Sequence, residues 1–206
     1  MTFDHVSLEG IRPCVLRGAI VRLEPLVAAH AAALAEVGLE PELWRLQPRP
    51  LQNRSDVEQY VERALDEQRR GLALQFVIVE QERSRVIGST RLMDIAPQHR
   101  RLEIGATWLN SAYQRTGANI ESKVLLLTHA FDVLGAQKVV LKTEALNAQS
   151  RRAILALGAA EEGTLRRHLL ADDGRPRDMV YFSILDSEWP DVRERNLARL
   201  ARYATR

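Results

Sequence analysis

Lysine, cysteine and long apolar runs are all scarce in this chain. Among 206 residues, only Lys123, Lys138 and Lys142 are lysines, which leaves 26 of the 29 basic side chains as arginines. Coding bias and anion recognition by guanidinium both account for such a skew, and the scattering of the arginines favours coding bias. Cys14 is the only cysteine, so no internal disulfide can form and a reducing compartment fits. Its neighbours in sequence would not activate a thiolate, and a small buried residue is expected there. No apolar run approaches the ~20 residues of a membrane span. Residues 1–12 carry Asp4, His5, Glu9 and Arg12 instead of an apolar signal segment. A soluble, cytoplasmic protein is expected. One-sided charge is missing too: the net charge is +2, where a nucleic-acid binder would be more strongly basic.

What is present is a chain that is 46% hydrophobic, enough for one good core. A single domain over 1–206 is expected, with a short N-terminal extension (1–17) and a C-terminal helix (187–206). Residues 19–26 alternate as a strand and 28–37 form an alanine-rich helix ending at Gly38. The prolines at 41, 48 and 50 make 40–53 a loop. Ser55 with Glu58 forms a capping box for the next helix, which stops near Gly71. Residues 72–80 and 85–95 make a β-hairpin, and 99–110 is a further strand. The spacing of Ile120, Val124, Leu127, Phe131 and Leu134 predicts a helix over 118–134, closed by Gly135. A short buried strand covers 137–143, and Asn147 caps a helix that Gly158 ends. Strands at 164–170 and 177–185 flank the turn signal Asp172-Asp173-Gly174. Ser187 and Pro190 open a last helix of alternating charge at 191–203. The order implies a mixed, mostly antiparallel α/β (α+β) sheet of about seven strands with helices on both faces. The strand–helix–strand unit at 102–143 supplies a parallel pair.

The most informative segment is the junction at 108–123. A strand ends near Asn110, the polar turn Gln114-Arg115-Thr116-Gly117 follows, and a helix starts at about Ala118. Such a junction aims free backbone amides and the positive end of the helix dipole at one spot, which suits a phosphate. A P-loop needs Gly-Lys-Ser/Thr closing the turn, and none exists. A dinucleotide fold needs G-x-G-x-x-G, and Gly117 stands alone.

With these alternatives gone, the run Gln114-Arg115-Thr116-Gly117-Ala118-Asn119 resembles the phosphate loop of the GNAT superfamily of acyl-CoA N-acyltransferases. That loop is Gln or Arg, two residues, Gly, one residue, then Gly or Ala. Asn119 departs from the final small residue, and asparagine at a helix start can itself donate to phosphate. Glu103-Ile104-Gly105, Asn147-Ala148-Gln149-Ser150 and Leu157-Gly158-Ala159 extend the likeness across nearly the whole chain. They make it RimJ/RimL-like, the ribosomal-protein N-acetyltransferase type.

The resemblance implies acetyl-CoA as cofactor and direct transfer of its acetyl group to a primary amine, with a protein N-terminus as the first expectation. The alternatives are a small-molecule amine (an aminoglycoside, a polyamine or an amino acid) and a non-catalytic CoA-binding module. It assigns the diphosphate to the amides of Arg115, Thr116, Gly117, Ala118 and Asn119, with Gln114 opening the loop. It assigns the pantetheine arm to Trp108, Leu109 and Asn110, with an oxyanion donor near the Leu109 amide. Asn147 would hold a pantetheine amide. Ser150 would lie near the sulfur, and Ser150 or a water would protonate it. Arg151 or Arg152 would reach the 3′-phosphate.

Glu103 is the candidate general base; the competing role is an ion pair with Arg101, Arg91 or a substrate cation. Strand alternation puts His99, Arg101, Glu103, Gly105 and Thr107 on one face. By family analogy Trp44, Arg91 and the Arg166-Arg167-His168 run would line the acceptor site, with the loop at 43–51 and the helix at 55–70. No metal ligand set is expected. The charged helix at 191–203 and nearby strands offer a homodimer surface.

Overall fold

The computed structural model describes Leu8 and residues 11–204. The rest of the expected extension 1–17 (residues 1–7, 9 and 10) and the last two residues of the expected C-terminal segment lie outside the described residues.

Among the described residues one eight-stranded sheet runs β1-β2-β3-β4-β5-β6-β8-β7. Its strands are β1 (Leu16–Arg17), β2 (Val21–Pro25), β3 (Leu74–Glu80), β4 (Arg85–Ala96), β5 (Arg101–Leu109), β6 (Lys138–Glu144), β7 (Ala160–Leu170) and β8 (Pro176–Leu185). The strand beyond the expected seven is β1, two residues too short to leave a period in sequence. All neighbours are antiparallel except β5 and β6, which are parallel.

Alternation along the buried strands feeds two cores. In β3, Phe76 and Ile78 point to one and Val77 and Val79 to the other. The first core lies under α4 (Ala118–Thr128), α5 (Ala148–Leu157) and α6 (Trp189–Ala204). The second lies under α1 (Ala31–Gly38), α2 (Pro41–Trp44) and α3 (Arg54–Arg69). Helices therefore cover both faces, as expected.

Local corrections are informative. Residues 41–44 form the short helix α2 inside the expected loop, with Pro41 in its first turn, where a missing N–H costs nothing. The cap of α3 is Asn53, whose side chain accepts from the Asp56 amide at 3.0 Å, and Asp56 in turn accepts from the Gln52 amide at 2.8 Å. The expected box at Ser55 and Glu58 is two residues too late. The helix expected over 118–134 continues past α4 as a π-helical turn, His129–Val133.

The feature that shapes the site is in β5. Arg100 (φ 44) precedes the strand in a left-handed conformation, and His99 sits before it in a 3-10 turn, so His99 is not on the strand face. Ala106 (φ 45) is the second interruption, and the β4–β5 register shifts there from Arg91↔Gly105 to Ser89↔Trp108. The extra residue is a β-bulge, and it inverts the facing of everything after it. Leu102 and Ile104 enter the first core, yet so does Leu109, while Trp108 enters the second. Thr107 accordingly bonds to α4, and the expectation that it shares a face with Glu103 and Gly105 is overturned.

Candidate active site

β5 and β6 pair only at Arg101↔Lys138, Leu102↔Val139 and Glu103↔Val140. Past these pairs β5 runs on to Leu109 and β6 to Glu144 without pairing to each other, among the described residues. The strands part and leave a gap edged by backbone. The Asn110 amide donates to Ile87 on β4 at 2.9 Å, so the preceding Leu109 amide and carbonyl turn toward the gap.

The loop lies at the open end of this gap. Arg115 (φ 63) and Gly117 (φ 88) are both left-handed. Gly117 is demanded twice: by φ, and because a Cβ there would stand 2.9 Å from Ile20 Cδ1 and 3.0 Å from Tyr203 Cγ. It gives α4 no side-chain cap, so the first-turn amides of Ala118, Asn119 and Ile120 have no partner in the helix. Gln114 ties the pieces together. Its Nε2 donates to the Leu109 carbonyl at 3.2 Å, and its Oε1 accepts from Gln149 Nε2 at 3.2 Å. Thr116 Oγ1 donates to the Tyr113 carbonyl at 2.7 Å. Asn110 donates to Glu40 at 2.5 Å and accepts from the Ala112 amide at 3.1 Å. The structure thus brings the end of β5, the 114–119 loop and the start of α5 to one place.

On α5, Asn147 accepts from the Ser150 amide at 3.0 Å and serves as N-cap. Ser150 is half-buried in that first turn. Arg151 pairs with Glu161 at 3.5 Å, and Arg152, one residue on, is exposed.

At the closed end of the gap sits Glu103, only 2% exposed. Its partner is Lys142 of β6, 2.8 Å away, and not Arg101 or Arg91. Burial pushes the Glu103 carboxyl up, and Lys142 offsets this in part. Burial alone would lower the Lys142 ammonium, but the hydrogen bond and charge of Glu103 leave it raised. The two shifts differ in character because Glu103 is the deeper of the pair. Gly105 makes room for the carboxylate, since a Cβ there would lie 2.7 Å from Glu103 Oε1.

From Lys142 a line of contacts crosses the sheet face. Its ammonium lies 5.8 Å from the Tyr181 ring centre, and Tyr181 Oη is 2.9 Å from His168 Nε2. Arg91 donates to Glu67 on α3 at 2.6 Å. The hairpin and the 43–51 loop are joined by Arg49–Asp172 at 2.6 Å and by Arg177 donating to the Leu46 carbonyl at 3.2 Å. Trp44, expected at the acceptor site, is instead in the second core. It is 7% exposed, its ring centre is 5.5 Å from that of Trp108, and its Nε1 donates to the Gly38 carbonyl.

Two site residues escaped the sequence reading. Lys142 sits on the expected buried strand, where alternation alone would have put it on the Glu103 side. Lys123 lies on α4, 8% exposed, and its Nζ donates to Thr107 Oγ1 at 2.5 Å. Its position three residues after Ile120 and four before Leu127 places it on the apolar stripe, and a lysine there is the signal that was available.

This architecture, a mixed sheet parted at its parallel pair beside an uncapped helix start, is that of an acyltransferase. Residues 21–160 match the acetyltransferase (GNAT) domain family. The chain belongs to that family and is an acyltransferase of the EC 2.3.1 class. It is 30% identical over 102 residues to "Putative ribosomal N-acetyltransferase YdaF" of Bacillus subtilis strain 168, a match spanning 50% of this chain and 55% of that relative's length. A GCN5-related N-acetyltransferase from Brucella melitensis superposes with a TM-score of 0.86 and 30% identity, over 92% of this chain and 86% of that one. The ribosomal-protein-S5-alanine acetyltransferase of Vibrio fischeri shares the fold, with a TM-score of 0.70 at 18% identity, over 85% of this chain and 98% of that one. Proteins with the GNAT fold generally use acetyl-CoA. No helix among the described residues is long and apolar enough to cross a membrane.

Proposed function

We propose that the chain transfers the acetyl group of acetyl-CoA to a single primary amine, the N-terminal α-amine of a protein. Acetyl-CoA supplies an activated acetyl thioester. The uncapped amides at 118–120 and those of the loop before them suit its diphosphate. The gap-facing backbone of Leu109 suits the amides of its pantetheine arm, and the exposed Arg152 suits its 3′-phosphate. Asn147 and Ser150 border the same gap. Glu103 accepts the proton of the attacking amine, directly or through one water. Lys142 keeps that carboxylate ionised in spite of its burial.

The observation that supports this acceptor class is the charge balance of the sheet face above Glu103. Carboxylates on and over that face have cations of this chain beside them: Glu103 and Asp94 have Lys142, Glu67 has Arg91, Glu162 has Lys138, and Glu144 has Arg175 and Arg177. A polyamine or aminoglycoside would need several uncommitted carboxylates. One α-amine, neutral when it reacts, needs only a base. The name of the Bacillus relative supports the same reading.

The test is incubation with radiolabelled acetyl-CoA and short peptides whose N-termini are free or blocked, beside polyamines and aminoglycosides. Label is expected on free N-termini and not on blocked ones. Turnover confined to the polycations would overturn the acceptor assignment.

A further inference from the structure

The proposed reaction leaves one proton unassigned. Glu103 takes a proton from nitrogen, but the sulfur that loses the acetyl group must gain one. The Ser150 amide donates to Asn147 Oδ1 in the cap of α5, and α5 carries no tyrosine. A second hydroxyl stands on the other edge of the gap: Thr107 of β5, with Lys123 behind it.

Three observations converge there. First, order along the gap: the loop at 114–119, then Leu109, Thr107, Gly105 and finally Glu103. A cofactor anchored by its diphosphate at the loop would present, in the same order, its pantetheine arm, its sulfur, its acetyl carbon and the attacking nitrogen. Thr107 therefore falls at the level of the sulfur. Second, the bulge at Ala106 turns Thr107 away from the Glu103 face. The carboxylate and the hydroxyl reach the gap from opposite faces of the sheet, so one can serve nitrogen while the other serves sulfur.

Third, the hydroxyl has the connections of a relay. A threonine oxygen can accept two hydrogen bonds and donate one. Lys123 Nζ donates to it at 2.5 Å, and Thr90 Oγ1 lies 2.8 Å away and can supply the second. The hydroxyl hydrogen rests toward the Gly105 carbonyl, 3.4 Å away on the gap-lining strand, and rotates from there to an acceptor in the gap. Lys123 itself has no carboxylate within ion-pair distance among the described residues. The other titratable groups of α4 and the turn after it are committed elsewhere: Glu121 accepts from the Ala19, Ile20 and Val21 amides, Asp132 pairs with Arg193, and His129 rests against Cys14. Glu103 is the charge that acts on Lys123 from a distance.

We propose that Thr107 hands a proton to the sulfur of coenzyme A as the acetyl group leaves it, and that Lys123 refills Thr107. This rests on the acetyl-CoA reading above. The carbon–sulfur bond breaks with its electron pair on sulfur, and a carbon–nitrogen bond forms. The surplus proton of nitrogen goes to Glu103. The sulfur takes the Thr107 proton, Thr107 takes one from Lys123, and the neutral amine of Lys123 and the protonated Glu103 reset through solvent. Burial lowers the Lys123 ammonium to about 7. That makes it a stronger acid than a thiol of pKa ~8.5, so the transfer runs downhill. Lys123 is the positioning and refilling residue; Thr107 is the one that touches.

The small number of lysines makes the test direct. In protein labelled at lysine Cε, three resonances are expected, assignable with Lys123→Arg, Lys138→Arg and Lys142→Arg. The Lys123 resonance should titrate near pH 7 and should move when coenzyme A is added. Lys123→Met should lower kcat about 100-fold, at the low end for a lost acid, with the dissociation constant for acetyl-CoA within twofold of wild type. The fall of kcat above pH 7 should vanish with it. Lys123→Arg keeps the charge and the bond to Thr107 but cannot release a proton, so it should be as slow as Lys123→Met. Thr107→Val should match both. A Lys123 resonance indifferent to coenzyme A overturns the proposal, and so does restored kcat in Lys123→Arg. If wild type binds coenzyme A yet acetylates no amine, the acetyltransferase reading fails. The resonance arm still decides on its own whether Lys123 meets the cofactor.

Discussion

Lys142 Nζ stands 2.8 Å from Glu103 Oε2, on neighbouring strands that pair nowhere beyond Glu103 itself. The pair closes the narrow end of the gap, and it makes Glu103 a buried carboxylate whose ionisation depends on one cation. Glu103→Gln should lower kcat by about 100- to 10,000-fold, the usual worth of a general base, while acetyl-CoA affinity stays within a few-fold. Lys142→Met removes the influence that opposes burial, so the Glu103 carboxyl should rise further. The acid limb of the pH–kcat/KM profile should move to higher pH in Lys142→Met. A limb that stays in place or moves down would show that Lys142 does not set the ionisation of Glu103.

Gly117→Ala tests the loop. A side chain there meets both a left-handed backbone (φ 88) and the Ile20 and Tyr203 side chains within about 3 Å. The expected stability loss is about 1–3 kcal/mol, measured by denaturant unfolding. Coenzyme A binding by calorimetry should weaken by more than tenfold, because the amides at 118–120 are displaced. Retained affinity would detach the loop from the diphosphate.

The elements that were legible in sequence are those whose signal repeats. The helix over 118–134 has five apolar positions in phase, and the hairpin at 72–95 alternates cleanly. The helix at 147–157 is bounded by Asn147 and Gly158, both of which serve as caps. What was not legible turns on single residues. The bulge puts alanine, not the neighbouring glycine, in the left-handed position, and it inverts the strand and separates Thr107 from Glu103. Asn53 and Ser55 are both good caps two residues apart, and only tertiary packing chooses between them. Trp44 was expected to face the acceptor, but its pairing with Trp108 lies between elements distant in sequence. The turn at 114–119 was legible because its backbone geometry, with Gly117 left-handed just before α4, is encoded locally. The Glu103–Lys142 pair depends on strand register, which a single sequence does not fix.

Asn147 separates capping from cofactor contact. Asn147→Ala removes the acceptor for the Ser150 amide and should cost about 0.5–2 kcal/mol. Asn147→Asp keeps an acceptor at that position, with a charge that suits a helix start. Its melting temperature should therefore match wild type. If the side chain also donates to pantetheine, Asn147→Asp should weaken coenzyme A binding despite intact stability. Equal affinity in the two proteins would leave Asn147 a cap alone.

The wall of the acceptor face yields a stability prediction with a defined pH dependence. Glu144, 2% exposed, accepts from Arg177 Nε at 2.7 Å and is also bound by Arg175, while Arg177 donates onward to the Leu46 carbonyl. Burial raises the carboxyl, but the two guanidiniums outweigh it and hold it below the ordinary range. Glu144→Gln leaves Arg177 buried beside a neutral amide and should cost about 3 kcal/mol at neutral pH, the lower end for a broken buried pair. Because the folded-state value is depressed, the stability that Glu144 contributes is complete above the unfolded carboxylate pKa of ~4.3 and fades as pH falls through the folded value. Urea unfolding of wild type and Glu144→Gln should therefore show a gap that is constant from pH 8 to pH 5 and closes on further acidification. The same substitution loosens the tie between β8 and the 43–51 loop, so KM for the amine acceptor should rise while the acetyl-CoA dissociation constant holds. A gap unchanged by acid would show that Glu144 acts by packing and not by charge.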